Sequence, residues 1–86
     1  MIPTRNEVLI RLGMILAGLN FIEGTKKIDE QVGLLGHGIG LDSIEILSVV
    51  AAIEDGFGLT LEDEELQVRY FRTLGSLVTF IQGKLA

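Results

Sequence analysis

Two capping boxes, each followed by apolar residues at helical spacing, most constrain what this chain can fold into. Thr4 is followed three positions later by Glu7, and Asp42 is followed in the same way by Glu45. In a capping box the two residues satisfy backbone N–H groups that the first turn of a helix leaves unpaired. No alternation of apolar and polar residues competes with these signals. The sequence therefore predicts an all-α fold.

The expected architecture is a small four-helix bundle, with three longer helices and one short third helix. Their approximate predicted bounds are residues 4–18, 42–56, 62–68 and 73–84. A long glycine-rich loop, roughly residues 20–41, separates the first two helices, and loops of this length in small domains are usually functional or disordered. Its apolar residues are expected to pack onto the helices: Val32, Leu34, Leu35, Ile39 and Leu41.

Each longer helix has an apolar stripe that is predicted to face the core. The stripe of the first helix is Val8, Leu12, Ile15 and Leu19. The stripe of the second is Ile46, Val49, Val50, Ile53 and Phe57. The stripe of the last is Leu74, Leu77, Val78, Ile81 and Leu85.

The second helix has another apolar arc besides its core stripe. This arc consists of Ile44, Leu47 and Ala51, and it is flanked by Ser48, Glu54 and Asp55. A helix in so small a bundle cannot bury its whole circumference, so the arc is predicted to face water as a docking surface. From the pattern alone, the alternative that the long loop covers this arc is equally open.

Acidic residues are concentrated in one part of the chain. Eight of the twelve Asp and Glu residues lie between residues 42 and 65, where no Lys or Arg occurs, although the net charge of the whole chain is only −5. Nucleic acid is a poor partner for such a surface, because binding phosphates needs a basic patch. The charge favours a protein partner that presents Arg and Lys; the simpler alternative is a solvated, solubilising face.

The chain has no cysteine, which excludes a disulfide framework and thiolate metal sites; no metal site is predicted. The N-terminal run "VLIRLGMILAGL" faintly resembles a signal peptide, but Glu7 and Arg11 and the helical spacing disfavour that interpretation. No stretch reaches the roughly 18 apolar residues of a membrane span. We therefore expect a cytoplasmic protein.

Ser43 is predicted at the first position of the second helix. Unpaired N–H groups and the helix dipole favour a negative group there, so a phosphate ester on its hydroxyl would be electrostatically favourable. A catalytic serine needs a base within hydrogen-bond reach, and His37 is the only histidine in the chain. No G-x-S-x-G elbow surrounds the serine, which makes a serine hydrolase improbable. His37 is interpreted as an ordinary loop residue.

The sequence from "IGLDSIE" onward carries a recognisable pattern. It contains Gly40, Asp42, Ser43 and Ile44, followed by Glu54, Asp55 and Phe57. The acidic "LEDEEL" and the later "RTLGSLVTFIQ" follow in matching order and spacing. Over essentially the whole chain this pattern resembles the acyl carrier proteins, the phosphopantetheine-bearing domains of fatty-acid and polyketide synthesis.

The resemblance implies a carrier and not an enzyme, with residues 1–86 forming a single acyl-carrier domain. It implies that a phosphopantetheinyl transferase moves 4′-phosphopantetheine from coenzyme A to the hydroxyl of Ser43, within a motif that includes Asp42. The thiol of that arm would hold acyl groups as thioesters. The expected partners are this transferase and enzymes of the acyl synthetase, ketosynthase and acyltransferase types, and the carrier is expected to be a monomer. The residues expected to contact them are Ile44, Glu45, Leu47, Ser48, Ala51, Glu54 and Asp55.

Two positions differ from the pattern common in the family. Ser48 stands where an acid is frequent, and Ile46 replaces a small or polar residue. These changes weaken the electrostatics of the docking face and hint at a specialised carrier in a dedicated pathway. A carrier of aminoacyl, peptidyl or D-alanyl groups is an alternative, and an unmodified helical interaction module is another.

Overall fold

The computed structural model describes residues 2–23 and 28–86, and its regular elements are helical. They are α1 (Arg5–Gly18), α2 (Ser43–Phe57), two short 3-10 turns (Asp63–Glu65 and Val68–Tyr70) and α3 (Leu74–Leu85). Among the described residues there is no strand, only one isolated antiparallel bridge between Gly33 and Thr73. The all-α class is therefore confirmed.

The predicted short third helix over residues 62–68 is wrong in detail, because two 3-10 turns replace it. The chain leaves helical geometry at Leu66 and is extended at Gln67 (φ −100°, ψ 142°). Leu66 and Phe71 both pack against the core. Five residues apart on a continuous helix they would point roughly 140° away from each other, so one would face water. The fold is thus three α-helices and not a four-helix bundle. The last two helices are joined by the stretch that contains both 3-10 turns and ends at Phe71, called here the 3-10 segment (63–71).

The core lies where the three α-helices meet. From the helices, the buried residues are Val8, Leu12, Leu16, Val49, Val50, Ile53, Leu74, Leu77, Val78 and Ile81. The stripes of α2 and α3 are confirmed, with half-buried positions at Ile46, Phe57 and Leu85. In α1 the third buried position is Leu16, whereas the predicted Ile15 and Leu19 are only half-buried.

The loop before α2 is part of the core. Leu34 and Leu41 are buried, and the other three predicted loop residues (Val32, Leu35 and Ile39) pack against the same cluster. The expected loop spans roughly residues 20–41, of which 24–27 lie outside the described residues. Its apolar residues therefore pack onto the helices as the sequence predicts.

Backbone hydrogen bonds fasten this loop to the start of α3. The N–H of Leu34 donates to the Arg72 carbonyl (3.1 Å), and the N–H of Leu74 donates to the Val32 carbonyl (2.9 Å). Within the loop, a Cβ on Gly38 would lie 1.9 Å from the Gly33 carbonyl oxygen, so that position has to be glycine. The loop is therefore fixed by its backbone as well as by its apolar side chains.

The Arg5 guanidinium links three parts of the chain. It donates to the Glu30 carboxylate in the loop and, on α3, to Thr79 Oγ1 (2.8 Å) and the Gly75 carbonyl (3.1 Å). The hydrogen bond from Arg5 lowers the pKa of Glu30 despite partial desolvation. None of the described helices is long and apolar enough to span a bilayer.

Truncating Leu34 should be as damaging as truncating a helix core residue. We expect Leu34→Ala to lower the free energy of unfolding by about 2–5 kcal/mol, because its side chain is fully buried. Urea denaturation measures this. The exposed His37→Ala in the same loop serves as the control and should change stability by less than about 0.5 kcal/mol. Equal effects of the two substitutions would contradict the packing described.

The Arg5–Glu30 contact should make the free energy of unfolding depend on pH. Since folding lowers the pKa of Glu30 from 4.5, its contribution is present above about pH 4.5 and is lost as the pH falls through the lowered pKa. As the pH falls below about 5, we expect the free energy of unfolding to decrease less in Glu30→Gln than in the wild type. Urea unfolding at a series of pH values measures this. Identical pH profiles would show that the carboxylate does not titrate with folding.

Candidate functional site

The start of α2 is fixed by the predicted capping box. The Glu45 N–H donates to Asp42 Oδ1 (2.8 Å), and the Asp42 N–H donates to Glu45 Oε1 (3.0 Å). Asp42 is extended (φ −87°, ψ 178°), and the helix begins at the next residue. These bonds place Ser43 at the first helical position, as the sequence predicts.

The Ser43 side chain is exposed. Its hydroxyl makes no hydrogen bond to an imidazole, carboxylate or amine of residues 2–23 and 28–86. At the first turn of α2, the N–H groups of Ser43 and Ile44 have no intrahelical acceptor. The site therefore offers an accessible hydroxyl beside unpaired donors, without the base that would make it a nucleophilic catalyst.

The second apolar arc of α2 faces water. Ile44 is 74% exposed and Leu47 is 60% exposed, and Ala51 is exposed as well. The described part of the long loop packs elsewhere, against the core, and does not cover this arc. The structure thus favours the exposed arc over the alternative of a covered one.

The acids around this arc differ in what they bind. Glu45 belongs to the capping box, and Glu54 Oε2 accepts the N–H of Leu61 (2.9 Å) in the segment that follows α2. Asp55 is exposed, and its carboxylate has no hydrogen-bond partner in the described part of the chain. Ser48 is half-buried and its hydroxyl donates weakly to the Ile44 carbonyl (3.4 Å).

An apolar cavity of about 380 Å³ opens beside Ser43, between α2 and the 3-10 segment. Its lining residues are Leu35, Ser43, Ile46, Leu47, Val50, Leu66, Gln67, Val68 and Phe71. Gln67 is the only polar one besides Ser43, and its amide Nε2 donates to the Glu64 carbonyl (3.2 Å). The cavity is therefore able to hold an apolar chain that enters beside Ser43.

Sequence reasoning missed most of this cavity. It identified Leu47 as a docking residue and Ile46 as a core residue, but it assigned no role to Leu66, Val68 or Phe71. Val68 is 64% exposed although it is apolar, which marks the cavity's rim. Isolated apolar residues in the otherwise polar stretch 62–72 are the sequence signal that could have indicated it.

Two contacts hold the outer wall of the cavity against α3. Lys84 Nζ lies 2.8 Å from Glu65 Oε2, next to the lining residues Leu66 and Gln67. The hydrogen bond from Lys84 is the main cause of the lowered pKa of Glu65. Further along, the ring of Tyr70 stacks on the ring of Phe80 with centroids 4.4 Å apart. The wall is thus anchored at both of its 3-10 turns.

Alanine substitutions at Glu54 and Asp55 should affect stability differently, because, of the two carboxylates, only that of Glu54 accepts a backbone hydrogen bond among the described residues. Glu54→Ala should lower the free energy of unfolding by about 1 kcal/mol or more, because it leaves the Leu61 N–H without its acceptor. Asp55→Ala, one position further along the same helix, should change it by less than about 0.5 kcal/mol. Thermal and urea unfolding of both variants would check this, and equal losses would contradict it.

A protein-family model described as a phosphopantetheine attachment site matches residues 24–81. The chain is 38% identical to an acyl carrier protein of Exiguobacterium sp. strain AT1b over 47 residues, 55% of this chain and 57% of that protein. It is 31% identical to a mitochondrial acyl carrier protein of Neurospora crassa over 61 residues, 71% of this chain and 45% of that protein. The chain thus spans about half the length of these curated relatives.

A solved structure is similar over a larger share of the chain. The solution NMR structure of a holo acyl carrier protein from Nitrosomonas europaea matches with a TM-score of 0.72 and 32% sequence identity. The match covers 90% of this chain and 94% of that one. The similarity therefore includes the arrangement of the helices.

Proposed function

The chain belongs to the acyl carrier protein family, a family of carriers and not of enzymes with 4′-phosphopantetheine as prosthetic group, and from that premise we propose that Ser43 is its attachment residue. The observation that carries the proposal is the exposed, unbonded Ser43 hydroxyl at the capped start of α2, beside an apolar cavity. Residues 1–86 would act as one acyl-carrier domain.

The residues around Ser43 suit a phosphate ester. The N-terminal end of α2 provides unpaired N–H groups and the positive end of its dipole, which favour the negative phosphate. Asp42 and Glu45 bring like charge close to this position. Each of their carboxylates accepts a backbone N–H, which holds it in the capping box. The exposed hydroxyl would lose its proton as its oxygen bonds to the phosphorus, while the pyrophosphate bond of coenzyme A breaks and adenosine 3′,5′-bisphosphate leaves.

When bound, the group supplies a thiol on which acyl chains are held as thioesters. The chain's own contribution is to position that attachment point and to shield what it carries. Leu35, Ile46 and Leu66 are half-buried around the cavity, and Leu47 and Val68 border its mouth. An acyl chain that enters would exchange water for these apolar side chains, at about 0.8 kcal/mol for each buried methylene.

The character of the cavity favours alkyl chains over the alternative cargoes. An aminoacyl group would bring a charged ammonium, and a β-keto chain would bring carbonyls, into a space without a free buried partner among its lining residues. Burying such polar groups unpaired costs about 1–3 kcal/mol for a hydroxyl or amide and far more for a charge. We therefore propose acyl chains of the fatty-acid type as the cargo.

The exposed arc of α2 is proposed as the surface that partner enzymes contact. Ile44, Leu47 and Ala51 would provide apolar contacts, and Asp55 would meet basic residues on the partner. The partners would be a phosphopantetheinyl transferase and enzymes of the acyl synthetase, ketosynthase and acyltransferase types. Glu45 and Glu54 would add to the field, although their carboxylates are already engaged. A cytoplasmic monomer remains our expectation.

The test is the intact mass after incubation with coenzyme A and a phosphopantetheinyl transferase of broad specificity. The wild type should gain the mass of one 4′-phosphopantetheine, because its hydroxyl is accessible. Ser43→Ala should gain nothing. Thr60→Ala, which removes an exposed hydroxyl outside α2 and outside the expected partner surface, should be modified like the wild type.

An unmodified wild type under conditions that load a known carrier would support the simple interaction module instead. An adduct that survives Ser43→Ala would place the attachment at another residue. Either result would contradict the proposal.

A further inference from the structure

We propose that Phe71 forms the end of the cavity and thereby sets the length of acyl chain that the protein encloses; the inference rests on the proposed carrier function. Phe71 lines the cavity and is only 3% exposed. It comes from the 3-10 segment, where this chain departs from a continuous helix. The residue therefore belongs both to the cavity and to the core beneath it.

The lining residues fall into three levels of burial. Ser43, Leu47 and Val68 are exposed at the mouth, whereas Leu35, Ile46 and Leu66 are half-buried along the sides. Only Val50 and Phe71 are buried, at 7% and 3% exposure. An acyl chain that enters at the exposed mouth and moves inward therefore meets these two side chains last.

Of these two residues, Phe71 has the larger side chain and is the more effective block. Its ring belongs to the same apolar cluster as Leu34, Ile53 and Leu74, which are fully buried. Protein cores are close-packed, so the ring has no free space into which it can withdraw. Val50 is a small residue on the continuous helix α2, and truncating it opens less room.

The backbone on both sides of Phe71 is held in place. Its own N–H donates to the Val68 carbonyl (2.9 Å), which closes the second 3-10 turn. The next carbonyl, that of Arg72, accepts the N–H of Leu34 from the loop (3.1 Å). Shifting the backbone that carries the ring would break these hydrogen bonds. A growing acyl chain should therefore stop at the ring and leave its further carbons outside.

The experiment measures how thermal stability depends on the length of the attached chain. The holo wild type is loaded with saturated acyl groups of two to sixteen carbons, and its melting temperature is compared with that of the same protein without an acyl group. Each added pair of carbons should raise the melting temperature until the terminal methyl reaches Phe71, after which the increase should level off.

In Phe71→Leu the levelling should occur at a longer chain in the same series, because the smaller side chain deepens the cavity. Each variant is compared with its own unacylated holo form, so that a general loss of stability cancels. Phe71→Met has a similar volume to Phe71→Leu but an unbranched, flexible side chain that fits irregular space, and it should shift the plateau in the same direction if the leucine variant folds poorly. Phe57→Leu is the matched control, since Phe57 also packs against the core but neither lines this cavity nor contacts its 3-10 wall.

Plateaus at the same length in the wild type and in both Phe71 variants would overturn the inference, as would an equal shift in Phe57→Leu. A wild-type melting temperature that does not depend on chain length would also overturn the inference. In that case, an acyl thioester detected in the intact mass would still support the carrier function. Absence of any phosphopantetheine adduct would contradict both the role of Phe71 and the proposed carrier function.

Discussion

The site depends on how the glycine-rich loop is fastened to the first turn of α3. Backbone hydrogen bonds from Leu34 to Arg72 and from Leu74 to Val32 hold the two segments together, and the Leu34 side chain is buried in the core. Since the loop leads directly into α2 and the 3-10 segment leads directly into α3, this junction helps to position α2 and the 3-10 segment relative to each other. The apolar cavity beside Ser43 lies between these two elements.

The acidic surface combines two physical tasks that the charge pattern alone does not distinguish. Carboxylates of Asp42, Glu45 and Glu54 accept backbone N–H groups and so hold the start of α2 and the segment after it. Asp55 has no such partner in the part of the chain that the structure describes. Under the proposed function, a partner enzyme would meet Asp55 as a free side chain beside carboxylates whose positions are fixed, and these fixed charges lower the entropy lost when a complex forms.

The sequence predicts what depends on neighbours along the chain. The capping boxes at Thr4 and Asp42, the position of Ser43 and the core stripes of α2 and α3 follow from spacings of three and four residues. The break near Leu66 does not, because it results from the need to bury both Leu66 and Phe71 against elements that are distant in sequence. The cavity was missed for the same reason, since its lining comes from the loop, α2 and the 3-10 segment.

The two sides of the cavity are held by different kinds of force. The α2 side is a continuous helix, whose hydrogen bonds are largely insensitive to salt. The opposite side is tied to α3 partly through the Lys84–Glu65 ion pair, which is about 29% exposed at each side chain and so open to screening by counterions. Higher ionic strength would therefore weaken one attachment of the 3-10 wall and leave the α2 wall unchanged. Under the proposed carrier function, the retention of an acyl chain would then depend on the electrolyte around the protein.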